Sequence, residues 1–301
     1  MIEFLNAVKE YEFLRNALLT GVLAGIGCGV VGTYVVARRI SYIAGGISHC
    51  VLAGLGGAQY LNKVWGMEWL KPVYGAAASA LLAAVIIGLV SLRARQREDT
   101  VIGALWAIGM AAGVLFISRT PGYSQDLMAY LFGNILMVTK QDLATVAVLD
   151  AVVVAVGAMM YHQLLAVCFD EEFARARGLN VELIYLLLLC LTALTIVLLI
   201  SVVGIVMVIA LLTLPAAVAN FFSKTLWKIM VLSVGLSVFF TSAGMAVSYG
   251  PDFPAGATII LLAGLVYIVI SFLKGPVTRR RHGTGPAVSR EPRCDTPPGV
   301  L

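Results

Sequence analysis

Few side chains in this 301-residue chain can ligate a metal, move a proton or hold a charge, so those that interrupt its apolar stretches locate its chemistry. His49, one of three histidines, lies between Ser48 and Cys50 within an apolar segment. Imidazole is a borderline-soft ligand, suited to Zn²⁺ and acceptable to Mn²⁺ or Fe²⁺. A lone histidine inside a helical bundle can equally hydrogen-bond a neighbouring helix, so both roles are open. Asp150 sits inside another apolar stretch. A carboxylate there is costly and marks either a polar pathway or an interhelical hydrogen bond. Asp126, closer to the end of its segment, fits a helix cap as well as a ligand position. His162 ends a span just before a charged stretch, and interfacial anchoring accounts for it.

That charged stretch is residues 169–178, Phe-Asp-Glu-Glu-Phe-Ala-Arg-Ala-Arg-Gly. Downstream of it, residues 183–223 contain no Asp, Glu, Lys, Arg or His. Glu171 and Glu172 do not read as a catalytic pair, because adjacent residues on a helix point in different directions. Asp170, Glu171 and Glu172 come first, Arg175 and Arg177 last, the order that suits a helix dipole. Gly178 would end such a helix. A merely solvated loop is the alternative. As a helix between spans, the island cannot sit in lipid and is displayed at one face, shaped to dock into a soluble partner.

These groups are carried by an integral, polytopic membrane protein. The chain is 60% hydrophobic and 12% charged, against about 25% charged in soluble domains. Several stretches exceed the roughly 18 to 20 apolar residues that cross a bilayer. Spans are expected at about 13–37, 44–61, 72–92, 101–118, 141–162, 182–200, 202–222, 229–248 and 255–273. Residues 127–138 are apolar but too short to span, and read as a re-entrant or surface helix. The uncharged run must turn once, most naturally between Ser201 and Gly204. The transmembrane domain is therefore 1–274, followed by a Pro-, Gly- and Arg-rich tail, 275–301, expected to be disordered and cytoplasmic. The fold class is all-α.

Small residues recur every four positions, at Gly21, Gly25 and Gly29 and at Ala76, Ala80, Ala84 and Gly88, and such stripes let helices approach closely in lipid. Nine spans put the termini on opposite sides. With the C-terminus inside, 15 Lys and Arg residues fall on the cytoplasmic side and 6 outside, as the positive-inside rule requires. The 169–178 island then faces the cytoplasm. The start of the chain is polar and mixed in charge, so the first span is expected to serve as its own insertion signal. The net charge of +5 reports loop topology and not a nucleic-acid partner. The five cysteines include no Cys-x-x-Cys pair and read as small buried hydrophobes.

Several of these segments together resemble the ATP-binding-cassette permeases that import zinc, manganese or iron. The island resembles the coupling helix of that family. Arg38-Arg39-Ile-Ser-Tyr-Ile-Ala-Gly-Gly-Ile-Ser-His-Cys-Val-Leu-Ala-Gly54 resembles its second-span motif, centred on the histidine. Residues 95–103 resemble its Arg-rich loop, and Asp126-Leu-Met-Ala-Tyr-Leu-Phe-Gly-Asn-Ile-Leu136 its Leu-Phe-Gly-Asn segment. Residues 203–215 resemble its Gly-to-Pro helix, and Pro254-Ala-Gly-Ala257 the turn that opens its last span. The likeness covers nearly all of residues 12–274, in order. One departure is clear: many members carry an Asp four residues before the histidine, where this chain has Gly45.

The resemblance implies a transport subunit of a bacterial inner membrane, not an enzyme. It implies a homodimer, two separate cytoplasmic ATPase subunits docked at 169–178, and an extracytoplasmic metal-binding protein. No Gly is followed by Lys anywhere in the chain, so it lacks the loop that cradles ATP phosphates. His49 would be the metal ligand in a pathway or gate with Ser48, and Asp126 or Asp150 would supply the missing acid. No permanent cofactor is implied; Zn²⁺ is the first expected substrate and Mn²⁺ the second, because histidine without a neighbouring acid tilts toward the softer metal. An ATP-independent carrier predicts inverted repeats with paired broken helices, and none is visible. A siderophore or vitamin importer permease is the other rival; its chains carry more spans and no such histidine motif.

Overall fold

In hydrocarbon a backbone must satisfy its own N–H and C=O groups, and a helix does so within one segment. The computed structural model describes residues 7–67, 69–93, 98–121, 133, 137–251 and 253–281, and their regular structure is entirely helical. In order these are α1 (Glu12–Ala37), α2 (Ser41–Trp65), α3 (Pro72–Arg93), α4 (Glu98–Arg119), α5 (Lys140–Met159) and α6 (Tyr161–Phe169). Then follow α7 (Glu171–Ala176), α8 (Val181–Val203), α9 (Ile205–Phe222), α10 (Leu226–Tyr249) and α11 (Ala255–Arg281).

The nine predicted spans correspond to the nine long helices among the described residues. Eight of them are long and apolar enough to cross a membrane. The ninth, α2, has 25 residues, about 37 Å of helix for a core of about 30 Å. Its lower hydropathy comes from Gly45, Gly46, Ser48, His49, Gly54, Gly56 and Gly57, several of which are buried against α3 and α4. The span expected at 141–162 is interrupted at Met160, and α6 then carries the helical path on to Phe169.

α1 and α8 form the interior, each with 72% of its apolar stretch buried, against 17% for α11. α2, α3 and α4 pack together on one side, and α9, α10 and α11 on the other. α5 lies along α1. The stripe of Gly21, Gly25 and Gly29 faces Thr241, Ser237 and Val234 of α10. At Gly29 an added Cβ would lie 2.6 Å from a Val234 methyl, so only glycine permits that approach. In α3 the Ala76, Ala80, Ala84 and Gly88 stripe is buried as well.

The uncharged run turns on one residue. α8 ends at Val203, Gly204 adopts φ 85°, and α9 begins at Ile205. That φ is costly for any residue with a Cβ. Gly133 lies directly over this turn, against the Val203 carbonyl and the Gly204 nitrogen. The re-entrant or surface helix expected at 127–138 otherwise falls almost wholly outside the described residues, as do residues 282–301 of the expected tail.

Candidate functional site

The arrangement has two parts at different depths, and α2 positions the first. Ser41 to Trp65 is continuous helix, so the Gly45 carbonyl comes within reach of the side chain one turn later. His49 Nδ1 lies 2.8 Å from that carbonyl oxygen. A carbonyl can only accept, so Nδ1 carries the proton and Nε2 of the neutral ring keeps its lone pair. A hydrogen bond from the other ring nitrogen to a carbonyl is how proteins fix the tautomer of a ligating histidine. The ring stacks on Trp106 of α4, with centroids 4.2 Å apart and planes at 25°. His49 is buried, with 8% of its surface exposed. Chemically, this is a single oriented nitrogen donor on a stiff aromatic backing.

Its neighbours contribute less. The Ser48 hydroxyl is fully buried and donates to the Ala44 carbonyl at 2.8 Å, so its proton is committed to the helix. The Cys50 thiol points to the Leu105 carbonyl, 3.3 Å away. At Gly45 an added Cβ would meet only Trp106 Cζ3, at 3.7 Å, an ordinary contact. The absent acid is therefore a matter of sequence and not of space.

Asp150 is also buried at 8% exposure, but on α5, where its carboxylate fills the notch left by Gly27 of α1. His49 instead packs on α4. Among the described residues no three His, Cys, Asp or Glu side chains assemble into a group that could hold a metal. Asp126 lies outside the described residues.

The second part is the 169–178 island, which is a helix. Asp170 adopts an extended backbone and its carboxylate accepts from the Phe173 N–H at 2.9 Å, capping α7. Gly178, at φ 79°, ends the turn, and Asn180 then caps α8 through the Leu183 N–H at 3.2 Å. Glu172, Arg175 and Arg177 are exposed, and Arg177 lies over the Phe173 ring at 4.9 Å. Glu171 does not join them. It turns back to form an ion pair with Arg38, at the end of α1.

Arg38 is the residue whose role sequence reasoning missed. Besides Glu171 it donates to the Val167 carbonyl of α6 at 3.2 Å, and its guanidinium lies 5.5 Å from the centre of the Tyr185 ring on α8. It thus ties α6, α7 and α8 to the connection that leads into α2. The next residue, Arg39, has φ 62°, the one non-glycine among the described residues with positive φ. The paired arginines were visible in the sequence, but the Arg38 side chain's hydrogen bond and ion pair are with residues 129 or more positions away. Under the same connection, Cys168 is buried, and burial pushes its thiol up to about 11 despite the opposing Arg38 charge.

The chain matches the ABC 3 transport family over residues 10–274. It is 41% identical over 267 residues to a probable metal transport system membrane protein of Chlamydia pneumoniae, covering 87% of this chain and 91% of that one. It is 34% identical over 273 residues to the manganese transport system membrane protein MntC of Listeria monocytogenes, covering 91% and 94%. The fold matches a chain of PsaBC from Streptococcus pneumoniae, solved in complex with Fab, with a TM-score of 0.82 and 31% identity over 93% of this chain and 100% of that one. The motif order, the helical architecture and these matches agree, and the chain belongs to the ABC 3 transport family.

Proposed function

We propose that this chain is the permease subunit of an ATP-driven importer of divalent metal ions. The observation that carries the reading is His49: one buried imidazole, tautomer fixed, whose Nε2 has no hydrogen bond among the described residues and can bind a passing cation. A single such donor per chain cannot close a tetrahedral site. Two copies related by a two-fold would supply a pair, enough to bind an ion that must also leave. The chain itself makes and breaks no covalent bond. Energy enters through α7, whose exposed Glu172, Arg175 and Arg177 form the docking face for a separate ATPase. The distribution of Lys and Arg supports a C-terminus and α7 in the cytoplasm and an N-terminus outside, where a metal-binding protein delivers the ion.

Two observations bear on the metal. Gly45 in place of an acid leaves imidazole as the main donor and favours Zn²⁺ over the harder Mn²⁺. The Listeria relative is named for manganese, which keeps Mn²⁺ as the second reading. Uptake of radiolabelled Zn²⁺ and Mn²⁺ by cells carrying the whole system, each with the other as competitor, separates them. His49→Ala should abolish uptake of the cognate metal while the complex still assembles. Normal uptake by that variant would remove His49 from the path.

A further inference from the structure

Away from His49, a crevice of about 480 Å³ runs between α1, α5 and α10. Its walls include Val30 of α1, Val154 of α5, and Met230 and Val234 of α10. Each of these belongs to a helix long and apolar enough to cross a membrane. A water molecule placed there would find few of the polar partners it needs, so the natural occupant is hydrocarbon. The volume lies within the range of ligand pockets, about 300 to 1,000 Å³.

One end of the crevice is chemically different. Tyr161, His162 and Trp227 line it there, and the Tyr161 and Trp227 rings meet edge-on at 87° with centroids 6.4 Å apart. Such amphipathic rings belong at the level of lipid headgroups. Lys224 and Lys228 flank Trp227 in sequence, both exposed, and neither forms an ion pair among the described residues. His162 also borders the recess beside Phe173 and Arg177, so this end adjoins α7.

We propose that the crevice is a binding site for a phospholipid with an anionic headgroup. One acyl chain lies along α10 between α1 and α5, and the headgroup sits at the Trp227 end under Lys224 and Lys228. The apolar walls select for hydrocarbon, and the lysines select for negative charge. This site is separate from the metal path and does not depend on it.

The test is native mass spectrometry of the purified full-length protein, equilibrated with phosphatidylglycerol or with phosphatidylcholine of the same acyl chains. Two juxtamembrane lysines should give a preference of about thirtyfold for retained phosphatidylglycerol. Lys224→Gln with Lys228→Gln should bring the two lipids to near parity, and Val234→Trp should remove both. Because Val234→Trp could fail to fold, a second measurement uses the unaltered crevice: phosphatidylglycerol brominated on its acyl chains should quench fluorescence that is lost in Trp227→Phe. Equal retention of the two lipids by the wild type, or quenching that does not depend on Trp227, would overturn the proposal. So would efficient disulfide cross-linking of Val231→Cys to a second copy in the membrane, because the face would then be covered by protein.

Discussion

Replacing Arg38 by Gln should loosen α7 from the bundle without unfolding it. Three interactions are lost together: the ion pair with Glu171, the hydrogen bond to the Val167 carbonyl, and the cation–π contact with Tyr185. The side chains of Arg38 and Glu171 are 23% and 33% exposed, so solvent screens their ion pair and it contributes at most about 1 kcal/mol. The charged hydrogen bond contributes about 1.5 kcal/mol and the ring contact about 0.5 kcal/mol. These share one guanidinium and are not additive, so about 2 kcal/mol is a fair total. That shifts the balance between seated and released α7 by about 30-fold. Cys168 reports the release. Its thiol, raised to about 11, is almost wholly protonated at pH 8 and unreactive, since the thiolate is the nucleophile. In Arg38→Gln the alkylation rate of Cys168 should rise severalfold as the thiol meets water, even though a positive neighbour has been removed. In the assembled transporter, ATP hydrolysis should persist while metal uptake falls. Glu171→Gln should show a smaller effect, because it removes one of the three contacts, and the double variant should match Arg38→Gln. Unchanged Cys168 reactivity together with unchanged uptake would refute the idea that Arg38 seats α7.

Gly45→Asp should be tolerated, since its Cβ meets only Trp106 at 3.7 Å, and should raise the Mn²⁺-to-Zn²⁺ uptake ratio by adding a hard ligand one turn from His49. An unchanged ratio in competition uptake would separate position 45 from metal choice. Gly29→Val forces a side chain against Val234 and should destabilise the protein by about 1–3 kcal/mol, read as a lower melting temperature in detergent. Asp150→Asn should leave uptake intact and raise that melting temperature, because it removes a buried charge from a span; loss of uptake would return Asp150 to the path.

Much of this was legible in the sequence because the membrane imposes long-range order on local composition. Apolar length placed eight of the nine long helices, α2 being the less hydropathic exception, and the missing charge at 183–223 located the turn at Gly204. The order of acids and arginines at 170–177 announced a short helix. Where α5 breaks was not legible, since Met160 and Tyr161 are ordinary helix residues. Nor was the inward turn of Glu171, which looked like its neighbour Glu172 until the partner on α1 was in place. His49 could be singled out by type, but its tautomer and its Trp106 backing require three-dimensional neighbours. Asp150 could be singled out too, yet composition does not say that it faces Gly27.

The single-residue turn at Gly204 also constrains how the protein is made. α8 and α9 share no polar loop that could be left outside the bilayer while the other helix follows. They must enter as one hairpin, and nothing inside it favours either orientation. Only the charges at its open ends can decide, and these are Arg175 and Arg177 before α8 and Lys224 and Lys228 after α9. The arginines at the end of α7 are thus also half of the anchor that holds this hairpin upright during biogenesis.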